Sequence, residues 1–334
     1  MQNRSIKNLD LIANQIRQDI IQMLLSAKSG HSAGPLGMAD VFTALYFGGV
    51  MHYDPKKPQL KTRDRFVLSC GHICPVWYAS LAHAGFCPVA ELATLRKLGT
   101  RLQGHPHHED LPGAENTSGP LGQGLSQAAG MAYAGLRLES ADWRVYCVMS
   151  DGEQQEGQIW EAAMFAGKNK LRNLTALMDR NNIQIDGHTE EIMPLEPIRD
   201  KYEAFGWHVL EVDGHNIKEI IDACNEAKAI YEKPTLIICH TIPGKGVDFM
   251  EYRYEWHDWM VELHGPAVAS LQTDFNREWA HAGALGDLAY LATVLNGDAQ
   301  PVDKGQGPWM KVRFLPTRTA WKPTCSCPAA SAAC

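Results

Sequence analysis

Two short segments carry residues able to hold a phosphorylated ligand through a metal ion. The apolar run Arg144–Met149 ends in Ser150-Asp151-Gly152-Glu153-Gln154-Gln155-Glu156-Gly157, and about thirty residues on, Leu174–Met178 ends in Asp179-Arg180-Asn181-Asn182-Ile183. Gly152 lets the backbone turn sharply, and the free N–H groups of the helix that follows can face an anion. If the two runs are adjacent parallel strands, Asp151 and Asn181 reach the same edge of a sheet. A carboxylate, an amide oxygen and a nearby backbone carbonyl are hard oxygen ligands that leave octahedral positions open for two phosphate oxygens and a water. That is the chemistry of a magnesium–diphosphate site. Asp-Gly at a strand end is by itself more often only a turn; Asn181 at the matching place after the next run raises the functional reading.

Three histidines stand beside glycine in loop-like segments: Ser29-Gly30-His31, Cys70-Gly71-His72 and Gln103-Gly104-His105-Pro106. A lone histidine is more often a hydrogen-bonded loop residue than a catalyst. Three of them above strand ends can converge on one cleft, where an imidazole suits proton transfer near neutral pH. His107 and His108 lack helical spacing and read as solvated loop residues.

Positioning these groups requires regular elements. Leu9, Ile12, Ala13, Ile16, Ile20 and Leu24 recur at helical spacing, so residues 8–28 form an amphipathic helix that breaks at Ser29-Gly30. Strand-like runs at Arg65–Ser69, Arg144–Met149, Leu174–Met178, Trp207–Val212 and Thr235–Cys239 alternate with helix-like stretches such as Leu121–Leu138, Gln158–Lys170 and Ile217–Ile230. This pattern predicts an α/β fold, a doubly wound and mostly parallel sheet with helices on both faces. Ligands then lie beyond the carboxyl ends of the strands.

Composition narrows the function classes. With 334 residues, 45% hydrophobic and 21% charged, the chain can bury a sizeable core. A formal charge of −7 with scattered positive residues gives no stripe for nucleic acid and no polybasic membrane patch. No signal-peptide core and no membrane-length apolar run is present, so a cytoplasmic location is expected. The nine cysteines, Cys147, Cys224 and Cys239 among them, read as reduced structural thiols. After residue 257 periodicity weakens, and residues 258–334 read as an atypical tail, disordered or frameshifted, behind a cofactor-binding domain of residues 1–257.

The Asp151–Asn181 spacing resembles the signature of the thiamine diphosphate enzymes, Gly-Asp-Gly followed about thirty residues later by Asn, with Ser150 in place of the first Gly. The histidine segments, Gly119-Pro120-Leu121-Gly122-Gln123-Gly124 and Ile185-Asp186-Gly187 resemble the transketolase family in particular, over roughly residues 8–257. The resemblance implies thiamine diphosphate and Mg²⁺ or another divalent cation as cofactors. It makes Asp151, Asn181 and the Ile183 carbonyl the metal ligands, with Gly152 beside them. His72, Gly119, Leu121 and Gly122 approach the cofactor, and His31, His72 and His105 line the substrate channel. Glu156 resembles a glutamate linking the two active sites of a dimer; its plain alternative is a first-turn acid suited to the helix dipole. His257 resembles the histidine that closes the cofactor domain after a Gly-Lys-Gly loop, here Gly244-Lys245-Gly246, although Asp258 follows where the family has Gly.

A complete transketolase carries a second α/β domain that grips the aminopyrimidine and supplies an activating glutamate, and no second set of alternating strands and helices follows residue 257. The resemblance is therefore to the amino-terminal subunit of a split transketolase, acting on sugar phosphates in a dimeric or heterotetrameric assembly with a separate carboxyl-terminal subunit that carries the pyrimidine-binding domain. Two alternatives stand beside it: another thiamine diphosphate enzyme component, akin to deoxyxylulose phosphate synthase or a 2-oxo acid decarboxylating enzyme, and a non-catalytic degenerate domain.

Overall fold

The computed structural model describes residues 5–185, 187–247, 259–264 and 311–316. The chain divides into two compact units, Met1–Tyr252 and Arg253–Cys334. In the first, five strands form one sheet: β1 (Arg65–Leu68), β2 (Val145–Ser150) and β3 (Leu174–Arg180), then, after the two-residue strands β4 (Ile183–Gln184) and β5 (Gly187–His188), β6 (His208–Asp213) and β7 (Thr235–His240). Their order is β1-β2-β3-β7-β6, and every pair is parallel. All five lie within a residue or two of the runs read from the sequence.

Side chains alternate across the sheet, so each face builds its own core. Phe66, Leu68, Tyr146, Val148, Leu177, Ile237 and Cys239 pack on one face, under helices α1 (Ile6–Ala27), α3 (Ala39–Phe47), α4 (Cys74–Ala84) and α9 (Ile217–Ala229). Val67, Val145, Cys147, Met149, Ala176, Met178, Leu236 and Ile238 pack on the other, under α5 (Gly124–Tyr133), α6 (Gly157–Lys168) and α8 (Ile198–Ala204). The short helices α2 (Ala33–Gly37) and α7 (Thr189–Ile192) complete the set. This is the doubly wound α/β arrangement expected.

Local chemistry sets the helix ends. The Ser5 hydroxyl accepts from the Asn8 N–H to cap α1, and Lys28, left-handed at φ 53°, closes it one residue before Ser29-Gly30. Helix α3 shows no periodic stretch in the sequence because all nine of its residues are buried.

The six cysteines among the described residues are free and buried, Cys147, Cys224 and Cys239 included. Among the same residues, no helix is long and apolar enough to cross a membrane. In the second unit, β8 (Trp259–His264) and β9 (Lys311–Pro316) pair antiparallel. The rest of the stretch read as an atypical tail lies outside the described residues.

Close packing of α6 against the segment after α8 makes a test. A Cβ on Gly167 would lie 1.8 Å from the Phe205 carbonyl oxygen, whereas one on Gly130, in α5, meets nothing within 4 Å. Gly167→Ala should lose roughly 1–3 kcal/mol or more by overpacking, while Gly130→Ala should be neutral or gain up to about 1 kcal/mol from helix propensity. Thermal unfolding of the two variants checks the pair; equal melting temperatures would contradict this packing.

Candidate functional site

Parallel pairing of β2 with β3 sets Ser150 opposite Asp179, so the segments that follow each strand leave the sheet side by side. Asp151, fully buried, starts the turn after β2. Its Oδ1 accepts from the Gly152 N–H at 2.7 Å, and its Oδ2 accepts from the Asn182 N–H at 2.7 Å and from Arg180 Nη1 at 3.1 Å. Burial pushes this carboxyl upward, and the Arg180 guanidinium and the two backbone donors work against that. Asn181 donates from Nδ2 to Asp179 at 2.8 Å, and its Oδ1 accepts from the Ile183 N–H at 2.9 Å. The Ile183 carbonyl oxygen lies 3.7 Å from where a Cβ on Gly152 would stand. Asp151, Asn181 and Ile183 are therefore neighbours at one sheet edge. Ser150, at the position where the signature has glycine, closes β2 and is not among the residues with positive φ.

The oxygen donors suit a hard cation. A carboxylate has about four acceptor positions and an amide oxygen two, and the bonds above leave at least one open on each of Asp151 and Asn181. Among the described residues no three His, Cys, Asp or Glu side chains gather to hold a metal. A set built from one carboxylate, one amide and one backbone carbonyl does not require such a cluster.

Three further charged residues shape this edge, and none of them reads as functional from the sequence. Glu153 is fully buried; it accepts from the Ser69 hydroxyl, from the Gly122 N–H at 2.6 Å and from the Ser150 N–H at 3.1 Å. Ser69 Oγ in turn accepts from the Gly124 N–H at 3.0 Å. One carboxylate thus fastens the glycine loop 119–124 to the ends of β1 and β2. Asp179 holds Asn181 and accepts from the Thr241 hydroxyl; burial pushes its carboxyl up to about 7 against those bonds. Arg180 also reaches Glu190 at 2.7 Å and Glu196 at 2.9 Å. Glu153 directly follows Asp-Gly, a position that reads as a solvated first-turn acid, so only tertiary burial reveals its part.

The histidines converge. The His31 and His72 rings lie 5.3 Å apart, and His105 Cδ2 lies 3.0 Å from where a Cβ on Gly71 would stand and 3.8 Å from one on Gly119. A Cβ on Gly71 would also come 2.6 Å from Ser118 Oγ, so this glycine is what permits the approach of the three segments. None of the three imidazoles has a hydrogen-bond partner among the described residues. By contrast, His83, His208, His215 and His240 each meet a carboxylate. His107 and His108 face Asp110 and Thr117, as loop residues.

Gly122 has φ +83° and sits against Glu156, whose Cβ would be 2.7 Å from a Cβ there. Leu121 packs partly buried on the core. Glu156 occupies the cap position of α6 without a side-chain capping bond, so neither of its two readings is fixed by a contact. His257 lies outside the described residues.

Fold and strand-end site together place the chain among doubly wound α/β domains that bind ligands beyond the carboxyl ends of their strands. Residues 9–277 match the thiamine diphosphate binding domain of transketolase, so the chain belongs to the transketolase family. It is 44% identical to the 6-deoxy-6-sulfo-D-fructose transketolase subunit of Clostridium sp. (strain MSTE9), a match covering 78% of this chain and 95% of that protein. It is 42% identical to an apulose-4-phosphate transketolase subunit of Phocaeicola vulgatus, covering 82% and 94%. Among solved structures, transketolase of Pichia stipitis in complex with sedoheptulose 7-phosphate matches at a TM-score of 0.69 and 37% identity, covering 72% of this chain and 37% of that one. The chain thus spans under two fifths of that solved transketolase but nearly the whole of the two subunit relatives.

The cleft's electrostatics give a pH test. Burial lowers the His72 pKa to about 4, with His31 and His105 adding to the effect, and burial lowers His31 and His105 as well. The unfolded chain therefore binds the His72 proton more readily, and stability falls as pH drops from about 6.5 toward about 4. In an NMR titration the His72 imidazole should show no protonation between about pH 5 and 8; a midpoint near the ordinary histidine value would contradict the burial.

Proposed function

We propose that this chain is the amino-terminal subunit of a transketolase, transferring a two-carbon ketol unit between sugar phosphates with thiamine diphosphate and a divalent metal, and completed by a separate carboxyl-terminal subunit. The observation that carries this reading is the meeting, in one cleft of a thiamine diphosphate-binding domain, of three imidazoles that have no hydrogen-bond partner among the described residues. Donor groups left without protein partners await a ligand that can use them.

The relatives support the split arrangement. Two proteins of nearly this extent are named as transketolase subunits, one for a sulfonated sugar and one for a sugar phosphate. On this reading the partner carries the pyrimidine-binding domain and the assembly is dimeric or heterotetrameric. The cofactor-binding part ends near residue 257, and the complex works in the cytoplasm.

Asp151, Asn181 and the Ile183 carbonyl would hold the metal and, through it, the diphosphate. The Gly119–Gly124 loop is fastened through the Gly122 and Gly124 N–H groups to Glu153 and Ser69, and on this reading its backbone at Gly119, Leu121 and Gly122 approaches the cofactor, with Gly152 and His72 beside it. When bound, thiamine diphosphate supplies the electron sink that stabilises a carbanion. The protein's part is the proton: a ketol donor must lose a hydroxyl proton as its carbon–carbon bond breaks, and a neutral imidazole of His31 or His105 can accept it. Their lowered pKa values keep these bases unprotonated near neutral pH. Glu156, beside Gly122, is placed by this reading toward a second active site, and His257 at the end of the cofactor domain.

Calorimetry checks the cofactor half. Titrating thiamine diphosphate into the chain should give heat with Mg²⁺ and none with chelator, and Asp151→Ala should weaken binding by about tenfold or more, as expected for losing a charged metal ligand. Equal binding with and without the metal would refute the assignment.

A further inference from the structure

His215 is an imidazole to which ketol transfer as described assigns no role. It lies between β6 and α9, in the segment Asp213-Gly214-His215-Asn216. Both of its ring nitrogens are bonded: Nδ1 meets Asp40 Oδ2 at 2.9 Å, and Nε2 accepts from the Ile242 N–H at 2.7 Å. A backbone N–H can only donate, so Nε2 carries no hydrogen and the ring proton sits on Nδ1, facing the carboxylate. Asp40 suits that pairing. Burial pushes its carboxyl upward, but hydrogen bonds from His215 and Arg17 outweigh burial and hold it below the usual carboxylate range. Arg17 binds the same carboxylate, and its Nε donates to the Leu36 carbonyl at 3.1 Å. One tautomer of His215 therefore completes a chain of bonds that runs from α1 through α3 to the segment after β7.

The segment pinned at Ile242 touches the site in two places. Thr241, one residue earlier, donates its hydroxyl to Asp179, which in turn holds Asn181. Two residues later, the Gly244 N–H donates to the carbonyl of Ala33 at 2.9 Å, two residues beyond His31. The approach is close. The Ile242 carbonyl oxygen lies 3.0 Å from where a Cβ on Gly37 would stand, and Thr241 Cγ2 lies 2.5 Å from one on Gly214. Ala33 and Gly37 bound the same short helix, α2, and a Cβ on its Gly34 would come 2.8 Å from Ile73, the residue after His72. Residues 241–244 thus bridge the metal–diphosphate edge and the histidine cleft, and His215 fixes them from outside both.

We propose that His215, held in its Nδ1–H tautomer between Asp40 and Ile242, is a positioning residue that keeps His31 and Asn181 in register with one another. The proposal rests on the ketol-transfer reading above. His215 touches neither sugar nor cofactor; it acts through the backbone of residues 241–244, as a support whose donor and acceptor are both spent on orientation. Its loss therefore misplaces a base and a ligand without removing either, and small misplacements at a reacting centre cost rate rather than substrate binding.

The test compares His215→Phe, which removes both bonds, with His215→Gln, whose amide restores one donor and one acceptor. In the complex of this chain with its partner subunit, kcat with a ketose phosphate donor should fall by about tenfold in His215→Phe with KM little changed, and His215→Gln should recover most of it. Equal losses in the two variants, or a loss confined to KM, overturn the proposal. NMR of the chain alone keeps it separate from the ketol-transfer reading. Wild-type His215 should show the Nδ1–H tautomer, and the His31 imidazole and Asn181 side-chain amide signals should both move in His215→Phe and return to their wild-type positions in His215→Gln. These signals support the positioning role even if no ketol transfer occurs. An Nε2–H tautomer in wild type, signals unmoved in His215→Phe, or signals displaced in His215→Gln overturn it, and the first and last of these decide the matter even if His215→Phe does not fold.

Discussion

A carboxylate buried at the end of a parallel strand is unfavourable unless donors surround it, and the structure gives Asp151 three of them. Two come from the backbone of the turns after β2 and β3, so the charge can be buried only if these strands pair in the observed register. A slip of one residue would reverse the faces of every side chain on β3 and withdraw the Asn182 N–H from Asp151. Sheet register and the charge at the sheet edge are thus one constraint. Arg180 completes it: buried itself, it neutralises Asp151 from one side and reaches Glu190 and Glu196 from the other.

The same logic extends to β1. Glu153 is buried without a cation and is held by one hydroxyl and two N–H groups. Because those donors belong to three different segments, satisfying the carboxylate fixes the glycine loop 119–124 against the ends of β1 and β2. Gly71 lets Ser118, Gly119 and His105 close over the same end of β1. The cleft is therefore assembled by backbone approaches that only glycine permits and by acids that only tertiary donors can satisfy. Among the described residues the imidazoles along its wall have no protein partners, which is a destabilising arrangement for folding and a useful one for binding.

Much of this is legible in the sequence. The five strands stand out as short apolar runs, and the Asp151–Asn181 spacing marks two strand ends. What stays hidden has physical causes. Helix α3, buried on every side, shows no helical period. Glu153 and Asp179 look like solvated acids until their donors from distant segments are seen. The contact between His31 and His72 likewise joins residues roughly forty positions apart, which no local pattern reveals.

The central claim is that the ends of β2 and β3 form a metal–diphosphate site. Crystals of the chain grown with thiamine diphosphate and Mn²⁺ in place of Mg²⁺ test it most directly, since manganese scatters anomalously and accepts the same hard oxygen ligands. The account predicts an anomalous peak within coordination distance of Asp151, the Asn181 side-chain oxygen and the Ile183 carbonyl. Diphosphate density accompanied by a manganese peak elsewhere, or by none, would contradict it.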